Sequence, residues 1–397
     1  MNEPLKGIRV IDQTQALAGP YCSMILGDLG AEVIKLERPG VGDQSRSWGP
    51  PFLGTESAYY LAVNRNKRGM SLNVASAAGQ EILHKLTDSA DIFLTNLPTL
   101  AHFKKYNIDY ETLSKRNPGL IYGAISGYGH TGPKAGQPGY DLAAQGESGT
   151  MYLTGDPAGS PMRFPTPIAD MTTGMFLLIG ILSALHARHA SGEGQFIDCS
   201  LLESQMTWLE NYAGEYFATG EDPPRRGSSH PQVVPYEPME GSDGVWFILG
   251  VGSDNLWGKF CDLAGLGELK ADPRYASNAD RVNNRDELLP QVRAHMKRKS
   301  STEWLEMLAN AGIPSGPIRT VGEALADPQI IARNFIVELE HPSLGMIKSL
   351  ATPIHMSKNQ LTFRKHPPTL GEESSQILAE LGYTQAQIEQ HLADGII

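Results

Sequence analysis

A chain of 397 residues, 41% hydrophobic and 19% charged, is too long for one ordinary core and suits a soluble globular protein of two domains, or one domain with an insertion. Its net charge of −11 argues against non-specific binding to nucleic acid or to an acidic membrane, and leaves room only for a local basic pocket. The three cysteines, Cys22, Cys199 and Cys261, lie far apart, and neither C-x-x-C nor H-E-x-x-H occurs, so there is no case for a metal site.

The opening segment, MNEPLKGIRVID, lacks the apolar run of a signal peptide. With the sparse cysteines it leads us to expect a cytoplasmic protein; a mitochondrial matrix protein whose transit peptide has been removed reads the same. GIRVIDQ and AEVIKLE are strand-like, with SMILGDLG helical between them. GMSLNV follows as a strand, AAGQEILHKLTDSA as an amphipathic helix, and DIFLTN and GLIYGAIS as further strands. The alternation predicts an α/β, Rossmann-like domain: a mostly parallel sheet with helices on both faces. Ligands of such sheets bind beyond the carboxyl ends of the strands, so the loops TQALAGPY, RPGVGD and NLPT are the ones to watch.

Proline and glycine punctuate Gly127–Pro167, and a helical region follows to about Ala218. Its longest apolar stretch, Met171–Leu185, is too short and interrupted to predict a membrane span. GEDPPRRGSSHPQVVPYEP is a linker candidate, and a smaller unit opens at GVWFILGVGS. The expected organisation is a large domain over residues 1–218, a linker and small α+β domain over 219–330, and a return to the large domain over 331–397.

Asp170 is the only charged side chain between Arg163 and His186, at the head of a stretch apolar on nearly every side. A carboxylate there is either a helix cap or a reactive group shielded from water. Around it the nucleotide fingerprints G-x-x-x-x-G-K-[ST] and G-x-G-x-x-G are missing. Arg65, Lys67 and Arg68 form a basic cluster, with Arg38 at the end of a strand and Lys104 and Lys105 after another. Such groups serve either a solvated turn or an anionic ligand; their position at the ligand-binding loops favours the ligand. Gly250 and Gly252 in LGVGSDNLW suit a tight turn or a mobile cover. His230 beside a proline reads as structural, and Cys199 in FIDCSLLES as a buried, inert thiol.

The segments LGAEVIKLERPGVGD, NRNKR, SGYGHTGP, GYDLAAQGESG, IADMTTG, SGEGQFIDCSLLES, HPQVVPY, AGIPSGPI and PPTLGEES run in order along nearly the whole chain. Together they resemble the class III CoA-transferases, which include formyl-CoA:oxalate and carnitine CoA-transferases, with the α-methylacyl-CoA racemases as a sister branch. The resemblance implies that Asp170 is the catalytic nucleophile, passing through an aspartyl anhydride and an aspartyl-CoA thioester. It implies CoA contacts at Leu17, Ala18, Arg38, Leu72, Asn73, Asn96 and Lys104, and a pantetheine contact at Gln137, Pro138, Gly139 and Tyr140. It also implies a covering loop at Gly250, Val251 and Gly252. Where relatives read E-N-F-[RV]-P-G this chain reads TNLPTL, keeping Asn96 but placing Pro98 and Thr99 at changed positions.

The racemase branch carries G-H-D where this chain has Gly139-Tyr140-Asp141. A phenol, with a pKa of about 10, is a poor base at neutral pH, so the segment favours the transferases. The resemblance therefore implies CoA transfer from succinyl-CoA or a similar short acyl-CoA to a short carboxylic or dicarboxylic acid. CoA enters as substrate, with no tightly bound cofactor. His230 and Arg163 are candidate partners for a distal carboxylate. A non-catalytic CoA-binding protein is the remaining alternative. An interlocked, ring-like homodimer is also implied, with no nucleic-acid or membrane partner.

Overall fold

The apolar runs of the first 126 residues become parallel strands in the computed structural model, which describes residues 3–97 and 99–397. They are β1 (Arg9–Gln13), β2 (Glu32–Glu37), β3 (Lys67–Ser71), β4 (Ile92–Thr95) and β5 (Ile121–Ser126); a later strand, β6 (Phe196–Ser200), joins them. The spatial order is β3-β2-β1-β4-β5-β6 and every pairing is parallel, with Val10 opposite both Val33 and Ile92. Val10, Ile11, Phe93 and Tyr122 are fully buried, because helices cover both faces of a sheet built by crossover connections.

Three helices position the site. The first, α1 (Ala18–Asp28), joins β1 to β2; α2 (Asp141–Glu147) follows β5; α3 (Ile168–Ser191) leads into β6. Helix α3 packs its Leu177, Leu178, Ile181 and Ala184 into one core with Ala18, Cys22 and Ile25 of α1. It ends where Gly192 adopts φ +75°, a left-handed cap natural to glycine. With 24 residues, α3 runs beyond both ends of the apolar stretch noted in the sequence. By length and composition alone it could cross a membrane, which corrects that expectation; half of its apolar window is nonetheless buried inside the protein.

Two units make up the chain. The sheet-bearing unit comprises residues 1–150, 163–213 and 328–397. Its final segment forms the hairpin Ile336–His341/Gly345–Leu350 and a tail whose Ile396 carbonyl accepts the Asn73 N–H at 2.8 Å. The second unit comprises Gly214–Asp327 together with Met151–Met162, a stretch that the sequence reading places in the first. It is α+β: a three-stranded antiparallel sheet of Tyr236–Glu240, Trp246–Gly250 and Ser315–Pro317, with helices packed around Phe247, Trp257, Phe260, Tyr275 and Trp304.

Candidate active site

Between β1 and β4 the strand order reverses, and the loops leaving their carboxyl ends diverge. Such a switch point leaves a crevice, the usual ligand site of an open parallel sheet. Here it holds a cavity of about 280 Å³ lined by Gln15, Ala16 and Ala18 after β1, Asn96 and Leu97 after β4, Ser126 and Gly127 after β5, and Asp170.

Glycines bring these walls together. A side chain at Gly174 of α3 would meet the Ala18 carbonyl at 2.5 Å, so glycine lets α3 touch the start of α1. A Cβ at Gly127 would meet the Gly139 Cα at 2.6 Å, so the loop before α2 lies directly on the end of β5. Asn96 clamps the β1 loop by accepting the Gln15 N–H at 3.1 Å and donating to the Gln15 carbonyl at 2.8 Å. Gly174→Ala should push α3 off α1 and cost about 1–3 kcal/mol. Turnover should fall more than thermal stability predicts, since Asp170 rides on the displaced helix; an unchanged rate would mean that this contact does not place the carboxylate.

Asp170 lies in the first turn of α3, partly buried. It does not cap the helix: Pro167 occupies the cap position, and no hydrogen bond or ion pair engages Asp170 among the described residues. Asp141, the first residue of α2, does the capping instead. Its Oδ1 accepts the Ala169 N–H at 2.8 Å and its Oδ2 accepts the Gln145 side-chain amide at 2.7 Å. Asp170 is thus left free, with a second carboxylate close by. Burial first, and then the negative charge of Asp141, push the Asp170 pKa up to about 7. Tyr59 is held protonated by burial and by the charges of Asp170, Asp141 and Asp43, and its ring meets the edge of Trp48 at 4.9 Å. Trp48 and Gln44, though not Tyr59, line the cavity. Sequence reasoning missed these residues, and nothing in their spacing marks them.

The other expected positions are distributed as follows. Ala18, Asn96, Gln137, Pro138, Gly139 and Tyr140 line the cavity with Asp170. Leu17 lines a separate apolar cavity of about 570 Å³ with Tyr59, Pro167 and Met171. Arg38 and Lys104 are exposed after β2 and β4 and pair with no carboxylate among the described residues. Leu72 sits in the hydrophobic core at 3% exposure, with its N–H bonded to the Glu37 carbonyl. Asn73 follows it, partly buried. Arg163 is exposed on the sheet-bearing unit. Pro98 lies outside the described residues, and Thr99 caps the short helix Leu100–Lys105. Gly250, Val251 and Gly252 belong to the second unit, where Val251 is fully buried, its N–H bonded to the Pro235 carbonyl, and Gly252 is exposed. His230 is there too, its ring Nδ1 accepting the Gln232 N–H.

The basic cluster is neither a solvated turn nor a phosphate cradle. Arg65 pairs with Asp28 at 2.6 Å and Lys67 with Asp12 at 3.2 Å, all buried. Arg68 bridges Glu32 and Glu380, both at 2.7 Å. Cys199 offers no rival nucleophile, because burial pushes its thiol up to about 11. The site therefore presents an unengaged carboxylate of raised basicity in a cavity whose lining carries no other ionised side chain among the described residues. That arrangement suits nucleophilic attack on an acyl carbonyl, or proton abstraction beside one.

A family model described as CoA-transferase family III matches residues 5–374. The chain is 38% identical to succinyl-CoA:glutarate CoA-transferase of Mus musculus, over all of this chain and 90% of that protein. It is 39% identical to succinate–glutarate CoA-transferase of Agrobacterium fabrum (strain C58), over 95% of this chain and 96% of that protein. The crystal structure of a CaiB/BaiF family protein from Brucella suis matches with a TM-score of 0.84 and 40% identity, covering 96% of this chain and all of the other.

Proposed function

The chain belongs to CoA-transferase family III, and from that premise we propose that it moves CoA from succinyl-CoA, or a similar short acyl-CoA, to a short dicarboxylic acid through covalent intermediates on Asp170. The observation that carries the reading is the free Asp170 carboxylate, released from capping by Asp141 and engaged by no hydrogen bond or ion pair among the described residues.

The steps balance without an external acid or base. A carboxylate oxygen of Asp170 attacks the thioester carbonyl of the donor; the C–S bond breaks, and CoA leaves as thiolate, giving a mixed anhydride. The thiolate attacks the aspartyl carbonyl, the donor acid leaves as carboxylate, and an aspartyl-CoA thioester remains. The acceptor carboxylate attacks that carbonyl and expels the thiolate. The thiolate then attacks the acceptor's acyl carbon, restoring Asp170 and releasing the new acyl-CoA. A pKa near 7 makes Asp170 a stronger nucleophile than an ordinary carboxylate while leaving a large ionised fraction at neutral pH. Water would hydrolyse both intermediates, which suits a site built on buried helix starts.

The dicarboxylate assignment rests on relatives named for glutarate, mesaconate and oxalate. A panel of acids, each incubated with succinyl-CoA and the purified protein, should yield glutaryl-CoA or another short dicarboxylyl-CoA by mass spectrometry. Transfer to monocarboxylic acids alone would overturn the acceptor class, and solvent deuterium entering the α-carbon of a 2-methylacyl-CoA would favour the racemase reading. The proposal includes a homodimer: Met175, Phe176, Ile179 and Leu182 leave an apolar stripe of α3 exposed, and Met206 and Trp208 are exposed as well. It places the enzyme in the cytoplasm or the mitochondrial matrix, with CoA as substrate and no resident cofactor.

A further inference from the structure

The geometry points to the buried Lys35–Asp43 pair as a positioning device that holds the cavity wall shared with Asp170 in its reactive shape. This inference rests on the reading of Asp170 as the nucleophile for CoA transfer.

Ala16 lines the cavity with φ +68°, a left-handed conformation that strains a residue bearing a Cβ. It must therefore be held from outside. Asp43 Oδ1 accepts the Ala16 N–H at 3.0 Å. Its Oδ2 takes Lys35 Nζ at 2.8 Å, and the same ammonium donates to the Thr14 carbonyl at 3.0 Å. One ion pair thus grips both ends of the Thr14–Ala16 turn, while Asn96 grips Gln15 in the middle. Both charged side chains are fully shielded from solvent. Asp43 is itself fixed, by the N–H and hydroxyl of Ser45 and through its own N–H to Glu37 Oε1 at 2.8 Å. The turn presses on the start of α1, because a Cβ at Gly19 would meet Thr14 side-chain atoms at 2.3 Å.

A buried ion pair is a poor way to stabilise a fold, since apolar residues of similar volume often serve as well or better. What an apolar pair cannot do is accept an N–H at Ala16 and donate to a carbonyl at Thr14 at once. The use of the pair is geometric, and its effect should appear in the covalent steps rather than in the affinity for acyl-CoA.

The test compares unmodified protein with Asp43→Asn, with the double replacement Lys35→Met/Asp43→Leu, and with each combined with Ala16→Gly. The apolar double replacement leaves no unpaired buried charge, so it guards against a misfolded Asp43→Asn. Turnover is expressed per site able to form the Asp170 adduct, counted by intact mass after acyl-CoA and hydroxylamine. Turnover per site should fall about tenfold or more while KM for succinyl-CoA moves less than about threefold, by analogy with small misplacements of reacting groups. Glycine at position 16 removes the strain the pair opposes, and should restore at least about threefold of the lost turnover. Wild-type turnover per site in the double replacement would overturn the inference, as would glycine that raises thermal stability without restoring turnover. No adduct in the unmodified protein would instead overturn the reading of Asp170.

Discussion

Asp170→Ala is expected to lose CoA transfer by about 10³-fold or more, yet to stay folded and still bind acyl-CoA. The loss is large if, as proposed, the side chain forms the covalent bond, because the neighbouring groups are poorly placed to replace it. Cys199 is held as a thiol by burial. The Asp141 carboxylate is committed at both oxygens, to the Ala169 N–H and to Gln145. The fold survives because Asp170 makes no hydrogen bond or ion pair among the described residues and caps no helix. The check is twofold: circular dichroism and thermal melting for the fold, and intact mass after acyl-CoA and hydroxylamine for the adduct. Unmodified protein gains mass on the peptide bearing Asp170, and the variant does not. Residual transfer above about a tenth of the unmodified rate would mean that the covalent bond is made elsewhere.

The second large effect is on pH. With Asp170 at about 7 and acting as the proposed nucleophile, kcat/KM for the donor should rise as pH increases through neutrality, because only an ionised carboxylate can attack. In Asp141→Asn the nearby charge disappears while an amide oxygen can still accept the Ala169 N–H. The rising limb then moves to lower pH, toward the ordinary carboxylate range, and the plateau drops by about tenfold or less as the nucleophile becomes less basic. A rising limb that stays in place would assign it to another group.

The same shift governs stability. The folded state raises the Asp170 pKa above its unfolded value of 3.8, so folding favours the protonated acid. Below 3.8 both states are protonated and nothing is lost. Between 3.8 and about 7 the unfolded chain ionises first and stability falls with rising pH. Above about 7 the whole cost is present, no more than about 4 kcal/mol before solvent in the cavity screens it. Asp170→Asn therefore melts higher than unmodified protein at pH 8, and the gain fades toward pH 4. An equal gain at both values would trace the effect to packing instead.

The strands and the site loops were largely legible in the chain itself. Runs such as RVIDQ and EVIKLE are buried on both faces, and their alternation with helical stretches leaves few topologies open. The last strand, Phe196–Ser200, was harder, because partly exposed positions give it a weaker apolar signal. Asp170 stood out as a lone charge at the head of an apolar helix, where any carboxylate must have a reason to be present. Trp48 and Tyr59 carried no such mark, since an aromatic beside a turn is common; only the fold sets Trp48 on the Asp170 cavity, with Tyr59 against its ring.

The chain by itself determined the parallel sheet, the switch-point loops and the identity of the one carboxylate worth testing, because each follows from local periodicity or from a charge where local burial forbids it. Tertiary structure decided what surrounds that carboxylate. Asp141 lies 28 residues from the N–H it caps, and only folding shows that it frees Asp170 from that task. Arg65 finds Asp28 at a separation of 37 residues, and Lys67 finds Asp12 at 55, so cations that seemed available for a phosphate serve the interior. Ala16 reads as an ordinary loop residue until Asp43 and Lys35 are seen holding it in a conformation it would not choose alone. A sequence displays the charges; which charges are spent on one another depends on long-range pairing that no local pattern encodes.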